Sequence, residues 1–449
     1  MQNKTYQGQS GPGGYQRGRG RGGFRGGAQT GGQHGGAGRG QQRPWQNRQQ
    51  DVTGFVHNLG KKGYRDPSIE VRGDWPVIIE LSKNQMEKLN PVTPLGVTVA
   101  AQCGTLYPYN HDLDKSGTYK QIPVPDFSGR VYANVPTLED PVIRRLAQEN
   151  KADIFATEVA AAAIMTAPKS LYSWDVVIKK HGDKLFIDKR DDANMLDNLT
   201  VNETSHDNQP VDDESVNGVR QIMEESVRVH NSFLHMQYAK AEDRKVNLTE
   251  KDPFIADEHE VCVRQGYIYK IWKLEGKRRI CIRSTVHSYK SKSESESGET
   301  KVVYQNTYTL LEYELGKTNW KQNLDQQMAQ CLTKEVQDNS SKVSRWVVQS
   351  LLAGVEQIKF AFVSRRTLKD PSKHVILGTY GIDTRSFQNQ VNLSMSQCWA
   401  ILLQTIECVY GYGEQIGEYV FVKDPNKAIT RLFKMTAEEE DEDEPEEEL

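Results

Sequence analysis

The chain has 449 residues, 57 Lys and Arg against 60 Asp and Glu, and 37% hydrophobic residues. That length permits two or three domains or one large core, and no apolar run reaches the ~18–20 residues of a membrane helix. The net charge of −3 conceals two opposed ends: residues 1–50 carry Lys4, seven arginines and no acid, and residues 438–448 carry ten acids and no base.

The start, MQNKTYQGQSG, lacks an apolar stretch behind a basic one, so no secretory signal is expected. The six cysteines never come closer than ten residues, which excludes CxxC zinc or redox pairs and fits a reducing compartment. A cytoplasmic location follows as the expectation, with no membrane partner.

Residues 1–50 hold sixteen of the 36 glycines and cannot build a core, so a disordered tail is predicted there. Within RGRGRGGFRGG, Arg17, Arg19, Arg21 and Arg25 suit phosphates, and Phe24 suits stacking on bases. Sequence-tolerant RNA binding is the functional reading; a solvated tail is the plain one. Residues 51–139 read as an extended, irregular region with one strand-like piece at 75–81. Asp140-Pro141 is a helix N-cap followed by proline at the first helical position. Helices are expected to run to Asn150 and again over 153–166.

A hairpin is predicted around His181-Gly182-Asp183, and residues 190–216 read as a surface loop. Over 217–240 apolar residues recur at helical spacing, interrupted by Ser226 and His230 four residues apart on the same face. Strands are expected at 261–274, 279–287 and 301–314, with a polar loop over 289–300. A helix over 340–353 stopping at Gly354 follows, then strands at 358–364 and 374–380, a helix over 394–411 and a closing hairpin over 418–435. The class is α+β with mixed, mostly antiparallel sheets flanked by helices; the core domain is 140–435, with an acidic disordered tail at 436–449.

No P-loop, GxSxG, HExxH or EF-hand pattern occurs. Asp257-Glu258-His259-Glu260 reads more simply as a solvated charge run than as metal ligands. No cofactor is called for.

Several long segments are nevertheless recognisable: DPVIRRLAQENKADIFATE (140–158), SLYSWDVVIKKHGDKLFIDKRDD (170–192), NLTVNET (198–204), YIYKIWKLEG (267–276), RWVVQSLLAGVEQIKFAFVSR (345–365), DPSKHVILGTYGI (370–382) and YVFVKDPNKAITRLF (419–433). In this order, and followed by an acidic tail, they resemble the d subunit of eukaryotic translation initiation factor 3 over about residues 66–449. The resemblance implies a messenger-RNA cap-binding subunit with a core similar to that of decapping exoribonucleases. It implies as partners mRNA (5′ cap and 5′ untranslated region), other subunits of the factor and the small ribosomal subunit.

The resemblance also assigns residues. A related nuclease needs acidic strand pairs to hold its cations. Those pairs fall on Arg283 and Thr285, and on Glu335 and Gln337, while Gln349 matches a helix glutamine. One carboxylate and two amides cannot hold two metal ions, so these positions read as relics and no catalytic residue is assigned. The cap contacts carried over are Glu158, Leu171, Tyr172, Ser226, Val229 and His230; Ser226 and His230 are also the two interruptions found by periodicity. Packing is the plain alternative at each of these positions.

The stretch Tyr289, Lys290, Ser291, Lys292, Ser293, Glu294, Ser295, Glu296, Ser297, Gly298, Glu299 and Thr300 takes the place of a family insertion that gates RNA, with a solvated hairpin loop as the alternative. Thr436, before three glutamates, is a candidate phosphorylation site. The Arg-Gly start departs from the family's docking segment, which leaves a purely structural or assembly role, a paralog, or a divergent decapping nuclease as alternatives.

Overall fold

The computed structural model describes residues 67–125, 135–190, 216–237, 242–255, 263–294, 300–312 and 319–436. The early strands are β1 (Val77–Ser82), β2 (Gly96–Leu106), β3 (Ile122–Val124), β4 (Ile154–Thr157), β5 (Asp175–His181), β6 (Lys184–Asp188) and β7 (Val246–Asn247). They continue as β8 (Gly266–Lys273), β9 (Arg279–Val286), β10 (Ser288–Glu294), β11 (Thr300–Glu312), β12 (Gln357–Arg365), β13 (His374–Asp383), β14 (Ile416–Lys423) and β15 (Ile429–Met435). The helices are α1 (Lys83–Glu87), α2 (Pro141–Gln148), α3 (Glu158–Met165), α4 (Val219–Met236), α5 (Trp320–Asp338), α6 (Ser340–Ala353), α7 (Thr384–Gln390) and α8 (Met395–Gly411).

The strands form two sheets, one of ten strands ordered β1-β15-β14-β5-β6-β4-β9-β8-β2-β7 and one of five ordered β10-β11-β12-β13-β3. Most pairings are antiparallel; β4 lies parallel to both β6 and β9, and β11 lies parallel to β12. The protein is therefore α+β with mixed sheets.

Period-2 alternation explains how each sheet is covered on both faces. Ile154, Ala156, Leu185, Ile187, Ile280 and Ile282 enter the main core with α3, α6 and α8, while Phe155, Phe186 and Cys281 meet α2 on the other side. In the smaller sheet Leu310, Phe360, Phe362 and Leu377 join the same main core, and Leu311, Ala361, Val363 and Ile376 meet α4. Helix α3 is buried over nearly its whole length, and its alanines Ala160–Ala163 let α6 and α8 approach closely.

Four expectations change. The helix expected over 153–166 begins only at Glu158, because Ile154–Thr157 is drawn into the parallel ladder between β6 and β9. The irregular region expected over 51–139 supplies β1, β2 and β3, so residues before 140 complete both sheets. The loop expected over 289–300 is largely strand. Tyr289 through Glu294 pair with Thr300 through Tyr304, and the 3%-exposed Tyr289 donates its hydroxyl to the Arg244 carbonyl at 2.5 Å. Its run of Ser and Lys masks a strand that needs little apolar alternation. Helix α5, unanticipated, carries both Glu335 and Gln337, so these two do not form a strand pair. Residues 295–299, the loop at 191–215, the 257–260 cluster and the tail residues 17–25 lie outside the described residues.

Candidate functional site

Strand β4 ends at Thr157, whose Oγ1 accepts the Ala160 N–H at 3.4 Å and starts α3. Glu158 therefore sits in the first helical turn, where peptide dipoles favour a carboxylate. It is only 7% exposed, and its Oε2 accepts the backbone N–H of Thr285 on β9 at 2.9 Å. Burial is the dominant influence and pushes the carboxyl up to about 8, against the hydrogen bonds from Thr285 and the charge of Arg283.

Arg283 is committed elsewhere. Its Nη1 donates to Asp140 Oδ2 at 2.7 Å, its Nη2 donates to the Val135 carbonyl at 2.5 Å, and its guanidinium lies 5.0 Å from the Phe254 ring. Asp140 also accepts the Tyr269 hydroxyl at 3.0 Å and caps α2 through the N–H groups of Val142 and Ile143. One buried carboxylate thus starts a helix and neutralises the arginine beside Glu158.

From Thr285 a polar seam leads from the large sheet into the small one. Asn306 donates to the Thr285 carbonyl at 3.1 Å and accepts the His287 N–H at 2.9 Å. The His287 Nδ1 lies 3.1 Å from both the Thr307 N–H and the Thr307 carbonyl, so whichever tautomer the ring takes it bonds the Thr307 backbone. The His287 ring is 6.4 Å from His230, and the His230 Nδ1 lies 3.4 Å from Thr309 Oγ1. Tyr308 completes the group: its ring is nearly parallel to Trp346 at 4.6 Å and to His230 at 6.1 Å, and edge-on to His287 at 5.7 Å.

Burial pushes His230 down to about 4; burial and then the charge of His230 push His287 down to about 3. Both rings are neutral at physiological pH. The cluster gathers a carboxyl, uncharged imidazoles and aromatic rings, of which His287, Tyr308 and Trp346 are 3–6% exposed and packed on one another.

The residues assigned by resemblance divide on this geometry. Glu158 and His230 are joined through Thr285, Asn306 and His287. Ser226 instead donates its hydroxyl to the Ile222 carbonyl at 2.8 Å. Val229 is 2% exposed and packs with Tyr109, Phe233 and Leu311. Leu171 is 53% exposed and lines a groove of about 430 Å³ with Met165, Lys169, Leu393 and Ile401; Tyr172 is half-buried. Gln349 is 7% exposed on α6, one residue before Ser350, whose hydroxyl meets that of Tyr308 at 3.3 Å. Glu335 bonds Asn339 and Lys342 at the α5–α6 junction. Thr436 donates to the Asp74 carboxylate, which Arg72 and then Thr436 hold at about 2.

His287, Asn306 and Tyr308 escaped the sequence reading. Their signal was of the kind that marked Ser226 and His230: polar groups interrupting regular apolar spacing, here just past the end of β9 and in the middle of β11. Among the described residues no group of three or more His, Cys, Asp or Glu is arranged to hold a metal ion.

Residues 1–434 match the family described as eukaryotic translation initiation factor 3 subunit 7. The chain belongs to this family. The match begins at residue 1, ahead of the recognisable segments. The chain is 36% identical over 386 residues to the D-1 subunit of eukaryotic translation initiation factor 3 from Drosophila pseudoobscura pseudoobscura, covering 84% of this chain and 66% of that protein. Against the D-1 subunit of Drosophila ananassae it is 36% identical over 391 residues, covering 85% and 68%. The chain thus spans about two thirds of the length of these curated relatives. Among solved structures, Rai1 of Scheffersomyces stipitis in complex with 3′-NADP⁺ and calcium gives a TM-score of 0.49 at 12% identity, covering 82% of this chain and 94% of that one. Dxo1 of K. lactis in complex with manganese gives 0.41 at 9% identity, covering 81% and 96%.

Proposed function

We propose that the chain recognises the methylated 5′ cap of selected mRNAs, together with their 5′ untranslated regions, and promotes initiation on the small ribosomal subunit in the cytoplasm. The observation that carries this reading is the seam from Glu158 through Thr285, Asn306 and His287 to His230, flanked by Tyr308 and Trp346. In it Glu158 accepts guanine N–H donors and His230 faces the purine, while Leu171 and Tyr172 offer an apolar wall from the segment between α3 and β5. Ser226 and Val229 position α4 rather than touch the cap. The Arg17–Arg25 tail adds salt-dependent grip on phosphates without sequence preference, and the β10–β11 hairpin borders the RNA path. Phosphate on Thr436 faces Asp74 and adds negative charge beside the acidic tail.

The chain binds and does not cleave. Where the nuclease reading needs carboxylates, β9 presents Arg283, which is paired with Asp140, and Thr285.

The test is photocrosslinking of cap-labelled RNA to the full chain with free cap analogue as competitor. Glu158→Ala weakens capture by roughly 5- to 150-fold, the equivalent of about 1–3 kcal/mol for a lost charged acceptor. Loss of competition by the free analogue, or unchanged capture by Glu158→Ala and His230→Ala, overturns the reading. The absorption of Ser226 and Val229 into helix bonding and packing favours a second reading, an assembly role with RNA held by the tail alone. That role retains crosslinking in both variants and loses it when the tail arginines are replaced.

A further inference from the structure

The ten-stranded sheet is covered unevenly along β2. Its outer neighbour β7 has two residues and pairs only with Thr105 and Leu106. Glu250 extends that cover by one step, donating its N–H to the Gln102 carbonyl and accepting the Gly104 N–H, both at 2.9 Å. From Gly96 to Ala101, β2 pairs with β8 on its inner side, and among the described residues no strand pairs with its outer side.

This open edge is apolar. Leu95 is 74% exposed, Val97 48% and Val99 52%. No charged residue occurs from Pro91 to Cys103. Exposed edge strands are ordinarily blunted by lysine, proline within the strand, or a covering element, because unpaired N–H and C=O groups template another strand. Here one such device is present, a register shift between Val99 and Ala101, and it leaves Gly96–Val99 regular.

We propose that the outer edge of β2 over Gly96–Ala101 receives an extended, uncharged segment rich in Val, Ile or Thr from a neighbouring subunit of the initiation factor. The added segment becomes a further strand of the large sheet. Three observations select this occupant. The family places the chain in a multisubunit factor, so a neighbour exists. The absence of charge from Pro91 to Cys103 matches an uncharged partner and disfavours nucleic acid. The segment Val246–Glu250 already occupies the upper part of the same edge, so an incoming strand continues an established row. The inference rests on family membership and is independent of cap recognition.

Deuterium exchange of the full chain, alone and within the reconstituted factor, tests it. The outward amides of Gly96–Ala101 exchange rapidly in the isolated chain and at least tenfold more slowly in the factor. Val97→Lys with Val99→Lys, at exposed positions, removes the slowing and weakens assembly at least tenfold while urea unfolding stays unchanged. If that pair disturbs folding, Thr98→Glu is the replacement. Equal exchange in both states overturns the proposal. So does slow exchange in the isolated chain, which indicates a second copy if it is lost on dilution and a segment of this chain if it is not.

Discussion

Thr285 donates its backbone N–H to the carboxyl of Glu158 at 2.9 Å, tying the first turn of α3 to β9 at the large-sheet end of the polar seam. A backbone donor favours the ionised carboxyl, yet burial outweighs it and the group stays protonated up to about pH 8. In the unfolded chain the same group ionises near 4.5. Between these values the folded state holds a proton that the unfolded state has lost, so this group's contribution to stability falls as pH rises from about 4.5 to about 8. Glu158→Gln keeps the acceptor and removes the titration. Urea unfolding at pH 5, 6, 7 and 8 should show the variant gaining on the native chain by up to about 1.4 kcal/mol per pH unit. Parallel curves mean that Glu158 is ionised in the fold.

The same proton couples to ligand. Cap recognition needs the carboxylate as acceptor for guanine N–H groups, so binding releases the proton that burial retained. Affinity for a cap analogue rises with pH between 6 and about 8, by up to about tenfold per unit, and levels off above. With Glu158→Gln, binding is weaker and follows only the analogue's own titration. Calorimetry in buffers of different ionisation heat reads the released proton directly, and its absence at pH 6.5 overturns the assignment.

The two buried imidazoles respond to acid in the opposite sense. Burial lowers His230 to about 4 and His287 to about 3, against 6.5 unperturbed. The unfolded chain takes up protons near pH 6.5 that the folded chain refuses, so stability is complete above that value and declines as pH falls towards 4. His287→Ala flattens this acid limb. At pH 7 it costs about 1–3 kcal/mol, because the Thr307 backbone loses its hydrogen-bond partner at a buried position. Acid and urea unfolding followed by tryptophan fluorescence measure both effects.

Local pattern explains what the sequence disclosed. The β5–β6 hairpin is legible because Gly182, at φ 64°, takes the left-handed turn between two alternating runs. Helix α6 ends at Gly354 (φ 81°) for the same reason. Strand β4 was hidden because IFAT lies buried on both faces in a parallel ladder, so alternation vanishes and the alanine run beyond it extends the helical signal backwards. Ser226 and His230 were both visible as breaks in a helical stripe. Periodicity does not distinguish a hydroxyl that bonds its own helix from a ring that meets another sheet. His287, Asn306 and Tyr308 come together only through the pairing of distant strands, which no local window contains.

The strongest constraint on the seam lies behind α4. Arg365 on β12 is fully buried and donates to both carboxyl oxygens of Glu225, at 2.7 and 2.5 Å, while the His374 Nε2 meets Glu225 Oε1 at 2.7 Å. Burial pushes the Glu225 carboxyl up, but the hydrogen bonds from Arg365 and His374 together outweigh it and hold the group below its ordinary value. Through this fork α4 is fastened to β12 and β13, five residues before His230. Glu225→Gln keeps the shape but leaves Arg365 buried without a counter-charge, so it costs about 3–5 kcal/mol by urea unfolding. Replacing both partners, with Arg365→Met and Glu225→Leu, restores most of that stability, since an apolar pair of similar volume leaves no orphaned charge. If α4 is held in place by the fork, amide exchange along Val219–Met236 accelerates in Glu225→Gln and recovers in the double variant. Cap affinity follows the same order, because His230 keeps its distance from Thr309 only while α4 is seated.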